Sequence, residues 1–211
     1  MYELGTPFDG TVVEAGTNVL VSGPPLSGKR RLVLETLAKG ARDGEGTIIV
    51  STRDSDTRVR EEFGTLVGEE MASTVGIVDA VTQHIGRSTE ADQTKYTSSP
   101  RDLSALGIKF SEFIQSYYTE QQREHNRVGV DSLTTMLLYS NLQTVFRFLH
   151  VFTSRVENVD GLGLYTIEST AHDGEVLNTL GQLFDGRLAV EADGTATLTL
   201  SDGDSRTATL D

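Results

Sequence analysis

The chain contains no cysteine and no tryptophan, and has only four prolines and four lysines in 211 residues. Without cysteine there can be no disulfide and no thiolate metal site. No apolar run approaches the roughly 18 residues of a membrane span, so no membrane association is expected. The opening segment MYELGTPFDG lacks the basic and apolar regions of a signal peptide, and a cytoplasmic location is the resulting expectation. Large aromatics are few, at 7% of the chain. The length still suffices for one domain, residues 1–211, with a sizeable core.

Positive charge is the next shortage. Asp and Glu total 31 against 18 Lys and Arg, a formal net charge of −13. The lysines are Lys29, Lys39, Lys95 and Lys109, so arginine supplies most of the positive charge. Such acidic, threonine-rich composition resembles that of proteins from salt-accumulating halophilic archaea. At about 1 M salt the Debye length falls to about 3 Å, which screens the self-repulsion of an acidic surface. The alternative is an ordinary acidic protein from a low-salt cell. In either case nucleic acid is a poor partner, because binding it depends on basic residues displacing counterions.

Against this background one segment carries specific chemistry. Gly23-Pro24-Pro25-Leu26-Ser27-Gly28-Lys29-Arg30 follows the phosphate-loop pattern G-x-x-x-x-G-K-[ST] up to its last position. Glycines let backbone N–H groups turn around a phosphate, the lysine reaches the β/γ oxygens, and the terminal hydroxyl ligates Mg²⁺. Arg30 stands where that hydroxyl belongs. Thr17–Ser22 reads as a buried strand entering the loop. Leu32, Val33, Leu34, Leu37 and Ala38 then recur at helical spacing up to Gly40. The order strand, glycine loop, helix N-terminus is what an anion site requires. The same segment also reads as a Gly/Pro-rich turn with an incidental lysine.

The rest of the chain alternates strand and helix. Strands are expected at 47–52, 74–81, 127–133, 162–167 and 186–192. Asp193-Gly194 is a hairpin signal into Thr195–Leu200, and Ser205–Leu210 is expected to extend it to a meander. Helices are expected at 56–66, from a capping box at Ser99-Pro100-Arg101-Asp102 to near Gln122, at 135–156 and at 172–184. Residues 86–99 read as a polar surface loop. The pattern is α/β, with helices on both faces of a mainly parallel sheet.

Val128-Gly129-Val130-Asp131 ends a buried strand in an acid, which alone is as well read as a helix cap. Beside a phosphate loop, Asp131 becomes a candidate to hold Mg²⁺ through its water shell, since ligands of open α/β sheets gather at the carboxyl ends of strands.

Together GPPLSGKR (23–30), TIIVSTRDS (47–55), RVGVDSLTTML (127–137) and LGQLFDGRLAV (180–190) resemble the RecA/KaiC/RadA superfamily of P-loop ATPases. The likeness is to the small single-domain RecA-like proteins of halophilic archaea. The resemblance implies a RecA-like sheet with the 162–167 strand lying between the P-loop strand and the Asp131 strand. It also implies ATP or ADP as ligand, at residues Gly23, Pro24, Pro25, Leu26, Ser27, Gly28, Lys29 and Arg30. Active members place a glutamate just after the second strand, where this chain has Arg53-Asp54. Asp54 is a weak catalytic candidate, shorter by one methylene, and Asp54-Ser55-Asp56 also reads as a turn and helix cap. His172-Asp173-Gly174 follows the fifth strand and reads as an N-cap turn or as a contact near the γ-phosphate.

The degenerate loop favours a nucleotide-binding regulatory or signalling switch that hydrolyses weakly or not at all, with a protein partner or a homo-oligomer as its readout. The alternatives are an active Mg²⁺-dependent ATPase, a recombination or DNA-repair accessory, and an interaction module with an empty pocket. Arg30, always charged, is expected to take over part of the metal's work by pairing with phosphate oxygens.

Overall fold

A computed structural model of the chain describes residues 1–87, 90–119, 121–201 and 203–210. The strands are β1 (Tyr2–Gly5), β2 (Phe8–Val13), β3 (Asn18–Gly23), β4 (Gly46–Ser51), β5 (Gly76–Asp79), β6 (Thr94–Tyr96), β7 (Asn126–Asp131), β8 (Leu162–Glu168), β9 (Gly186–Val190), β10 (Thr195–Leu200) and β11 (Ser205–Thr209). The helices are α1 (Lys29–Arg42), α2 (Asp56–Val67), α3 (Glu69–Ser73), α4 (Leu103–Thr119), α5 (Leu133–Tyr139), α6 (Leu142–Glu157) and α7 (Gly174–Gly181). A nine-stranded sheet runs β11-β10-β9-β3-β8-β7-β4-β5-β6. From β9 to β6 every pairing is parallel, and β9, β10 and β11 form the expected antiparallel meander. The expected interposition is present: β8 lies between β3 and β7.

Alternation along the buried strands divides the apolar residues between two cores. On one face Val19, Val21, Ile49 and Leu164 meet Leu32, Val33 and Leu37 of α1 and Val59 and Phe63 of α2. The other face turns Leu20, Ile48, Val50 and Val130 toward Phe110 of α4, Met136 of α5 and Leu149 and Phe152 of α6. Phe110 and Phe152 stack tilted at 4.4 Å between ring centroids, and each such buried ring stabilises by about 1.5–3 kcal/mol.

Several boundaries differ from the sequence reading. The hairpin β1–β2, not expected from sequence, covers the first core with Tyr2, Leu4, Phe8 and Val13. Within the segment read as a loop, Thr94–Tyr96 forms an edge strand beside β5, and Ser88 and Thr89 of that loop lie outside the described residues. Ser99–Asp102 is a turn closed by the Asp102 N–H to the Ser99 carbonyl at 3.0 Å. The helix begins three residues later than a Pro100 start, with the Asp102 carboxylate accepting from the Ala105 N–H at 3.1 Å. An aspartate side chain thus outcompetes the proline start. The single helix expected over 135–156 is broken at Ser140 and Asn141, because Asn141 caps a new helix through the Thr144 N–H at 2.9 Å.

Candidate functional site

β3 delivers the chain to the loop at Gly23, and α1 leaves it at Lys29. Two glycines are required sterically. A Cβ on Gly23 would lie 2.5 Å from the Val190 carbonyl oxygen of β9 and 2.6 Å from Ser27 Oγ. Gly28, the N-cap of α1, has φ of 87°, and a Cβ there would also meet Leu210 Cδ1 at 2.9 Å. Leu26, with φ of 63°, projects fully into solvent at the tip. Ser27 is 6% exposed, and its hydroxyl oxygen is buried without a hydrogen-bond partner among the described residues. A buried hydroxyl left unpaired at a helix N-terminus costs about 1–3 kcal/mol unless a ligand satisfies it.

The first turn of α1 carries Lys29, Arg30 and Arg31 in succession and no acid. Three cations at the positive end of a helix macrodipole are unfavourable by themselves, and carboxylates offset them, from other elements for Lys29 and Arg30 and from α1 itself for Arg31. Lys29 is buried; its ammonium donates to the Pro24 carbonyl at 2.9 Å and stands 2.9 Å from Glu168 Oε2 at the end of β8. Arg31 pairs with Glu35 one turn on, at 2.8 Å.

Arg30 has the richest surroundings. One guanidinium nitrogen contacts Asp54 Oδ2, another lies 2.8 Å from Glu62 Oε2 of α2, and Nε lies 3.2 Å from Asp131 Oδ2. Burial opposes its charge, but Asp131, Asp54 and Glu62 together outweigh that and raise its pKa above the ordinary value. The Arg30–Asp131 and Lys29–Glu168 contacts are ionic, without hydrogen-bond alignment at Arg30 Nε, Asp131 Oδ2 or Glu168 Oε2. Arg30 is therefore aimed at three carboxylates, where the sequence reading had it facing phosphate oxygens.

Asp131 is held from both sides. Its Oδ1 accepts from the Thr166 hydroxyl of β8 at 2.7 Å, while Oδ2 faces Arg30. β4 and β7 are clasped beside it: the Thr52 hydroxyl donates to the Ser132 carbonyl and accepts from the Ser132 N–H, both at 2.9 Å. The donor set does not fit a magnesium ion as arranged. The hydroxyl position is a cation, both Asp131 oxygens are engaged, and among the described residues no three His, Asp or Glu side chains gather to hold a metal.

Asp54 sits in a turn after β4, closed by the Ser51 hydroxyl donating to the Asp54 carbonyl at 2.6 Å. Besides Arg30 it collects Arg58 at 3.4 Å and Arg53 at 3.8 Å. His172 lies in the same cluster of strand ends, its Nε2 3.1 Å from the Thr134 hydroxyl, which accepts from the Glu168 N–H. Asp173 caps α7 through the Val176 N–H at 2.9 Å, as the turn reading had it.

Lys29, Arg30 and Glu168 border a cleft of about 650 Å³ over the Gly23–Arg30 loop. Five of the chain's 18 basic residues line it (Lys29, Arg30, Arg31, Arg53 and Arg58), against the three acids Glu61, Glu62 and Glu168. Asp54 and Asp131, which pair with Arg30, bring the acids to five, so the cluster is balanced in charge within a chain of net charge −13. Sequence reading gave no role to Glu62, Thr166 or Glu168. The signal for the last two was available, since a strand placed between β3 and β7 must end beside both Lys29 and Asp131.

A mainly parallel sheet flanked by helices, with a glycine loop leading from β3 into α1, defines a RecA fold of the KaiC-like kind. A KaiC-like protein from Pyrococcus horikoshii OT3 superposes with a TM-score of 0.68 at 14% identity, covering 100% of this chain and 91% of that one. An uncharacterized protein from Pyrococcus horikoshii, solved in complex with an unknown peptide, gives 0.70 at 12% identity over 94% of this chain and 85% of that one. The chain belongs to a family of unknown function (DUF7504), whose family model matches residues 16–190. A UPF0273 protein from Aeropyrum pernix is 32% identical over 124 residues, 57% of this chain, and the match spans 47% of that relative's length. No helix among the described residues is long and apolar enough to cross a membrane.

Proposed function

We propose that this protein binds ATP or ADP at the Gly23–Arg30 loop without a metal ion, cleaves it slowly or not at all, and acts as a regulatory switch. The observation that carries this reading is Arg30 among Asp131, Asp54 and Glu62. A fixed guanidinium takes the position from which a hydroxyl would anchor Mg²⁺, and it neutralises the aspartate that would hold the metal's water shell. The Ser27 hydroxyl, buried and unpartnered among the described residues, the start of α1 without a side-chain cap and the five cations lining the cleft support an anionic ligand. Bond cleavage has little support. Phosphoryl transfer depends on metal and water positioning, and Asp54 is held by Arg30. A structural neighbour solved with a bound peptide favours a protein partner as the readout.

Lys29→Ala tests the site. Its ammonium is the cation nearest the loop interior, so the variant should lose most affinity for ATP and ADP in equilibrium titration while keeping its circular dichroism. Undiminished binding would place the ligand elsewhere.

A further inference from the structure

Arg53 and Arg58 stand out among the cations of the cleft because their charge is poorly compensated. Both converge on Asp54, Arg58 Nε at 3.4 Å from Oδ1 and Arg53 Nε at 3.8 Å from Oδ2, and Oδ2 is already taken by Arg30. Three guanidinium groups thus share one carboxylate. Arg30 has two further carboxylates, at 2.8 and 3.2 Å, and its side chain is 16% exposed. Arg53 and Arg58 side chains are 50% and 70% exposed. Loose, exposed pairs of this kind contribute less than about 1 kcal/mol, so both side chains can exchange Asp54 for a better anion at little cost. They line the same cleft as Ser27, Gly28 and Lys29, on the side where β4 ends and α2 begins.

Resting on the nucleotide reading above, we propose that Arg53 and Arg58 together grip the terminal phosphate of a metal-free triphosphate. They would leave Asp54 to do so, and the site would thereby distinguish ATP from ADP. A triphosphate that arrives without Mg²⁺ brings its full negative charge, about −1.5 to −2 on the terminal group. Lys29 and Arg30 already have carboxylate partners in Glu168 and in Asp131, Asp54 and Glu62, so they offset only part of that charge. The two rim arginines supply the matching charge, and each planar fork can donate two parallel hydrogen bonds to one phosphate. A diphosphate held by the loop leaves that position empty. The exchange also frees Asp54 from two of its partners at the N-terminal turn of α2, which gives the switch a local structural consequence.

The test is calorimetric titration of the full chain with ATP, ADP and inorganic tripolyphosphate in KCl with EDTA, for wild type and for the double variant Arg53→Gln/Arg58→Gln. Both side chains are exposed, so the variant should keep its fold by circular dichroism. Wild type should bind ATP at least about tenfold more tightly than ADP, the scale of one or two charge-assisted hydrogen bonds. The double variant should bring ATP to the level of ADP and leave ADP within about twofold. An equal loss for ATP and ADP, or no loss for either, overturns the arginine assignment while leaving the loop as a nucleotide site. Binding of tripolyphosphate but of neither nucleotide overturns the nucleotide reading; a tripolyphosphate loss matching that expected for ATP would then support the grip on a terminal phosphate. No binding of any of the three overturns both.

Discussion

Arg30 Nε stands 3.2 Å from Asp131 Oδ2, so the first turn of the loop helix and the end of β7 are joined by an ion pair where a hydroxyl and an aspartate would otherwise share a metal's hydration. The pair is shared with Asp54 and Glu62, which makes Arg30 a structural tie between α1, the β4 turn, α2 and β7. Arg30→Ser should therefore destabilise the protein, by about 2–3 kcal/mol. That is below the cost of breaking a fully buried pair, because the cluster retains some solvent contact. Urea unfolding followed by circular dichroism would measure it. A change under about 0.5 kcal/mol would mean that the carboxylates relax into water without their partner.

Arg127 should matter more for stability than any cation of the cleft. Its side chain is 1% exposed, donates to Glu45 Oε2 at 2.5 Å and to the carbonyls of Glu3 and Thr36 at 2.9 Å each, and lies over the ring of Tyr2. It ties the N-terminal hairpin to the sheet. Arg127→Ala strands Glu45 and two carbonyls and should cost about 3–5 kcal/mol. Chemical denaturation should show this loss, and Glu45→Gln combined with Arg127→Met should recover part of it.

The reach of sequence reading differs between these two arginines. The strand–loop–helix unit and the place of β8 between β3 and β7 were legible, because buried strands, glycine spacing and the family resemblance all point the same way. Arg30 was legible as a departure from the motif, but its partners were not. Glu62 comes from a helix whose rotation over the loop is set by packing of Val59 and Phe63. Asp54 comes from a turn held by Ser51. The buried Arg127 read only as the start of a strand. The breaks at Asp102 and Asn141 were hidden by competition between local caps and helical periodicity, which sequence spacing alone does not rank.

Salt should stabilise the fold. A net charge of −13 repels itself at low ionic strength, and the long-range part of that repulsion fades as the Debye length shrinks. Differential scanning fluorimetry should show Tm rising steadily from about 0.1 M to 2 M KCl. A flat or falling Tm would remove the inference drawn from composition.

His172 should give the fold a sensitivity to mild acid. Burial holds its pKa below the ordinary value, against the opposing pull of Asp173 and Glu168. The unfolded chain therefore binds a proton at His172 before the folded one does. Its contribution to stability is intact above the unfolded value of about 6.5 and is lost as pH falls through the folded value. Tm should decline below about pH 6.5, and His172→Asn should remove part of that decline. An unchanged profile in the variant would show that His172 titrates as freely as in the unfolded chain.

The most direct measurement is the response of ATP binding to magnesium. Calorimetric titration of the wild type in EDTA and in millimolar MgCl₂ should give affinities within about threefold of each other, with phosphate release at background in either buffer. Arg30→Ser should bind ATP more tightly with Mg²⁺ than without, because serine returns the hydroxyl and frees Asp131. Even so, it should gain little turnover. Brisk hydrolysis by the wild type that EDTA abolishes would contradict the account and return Asp131 to a metal.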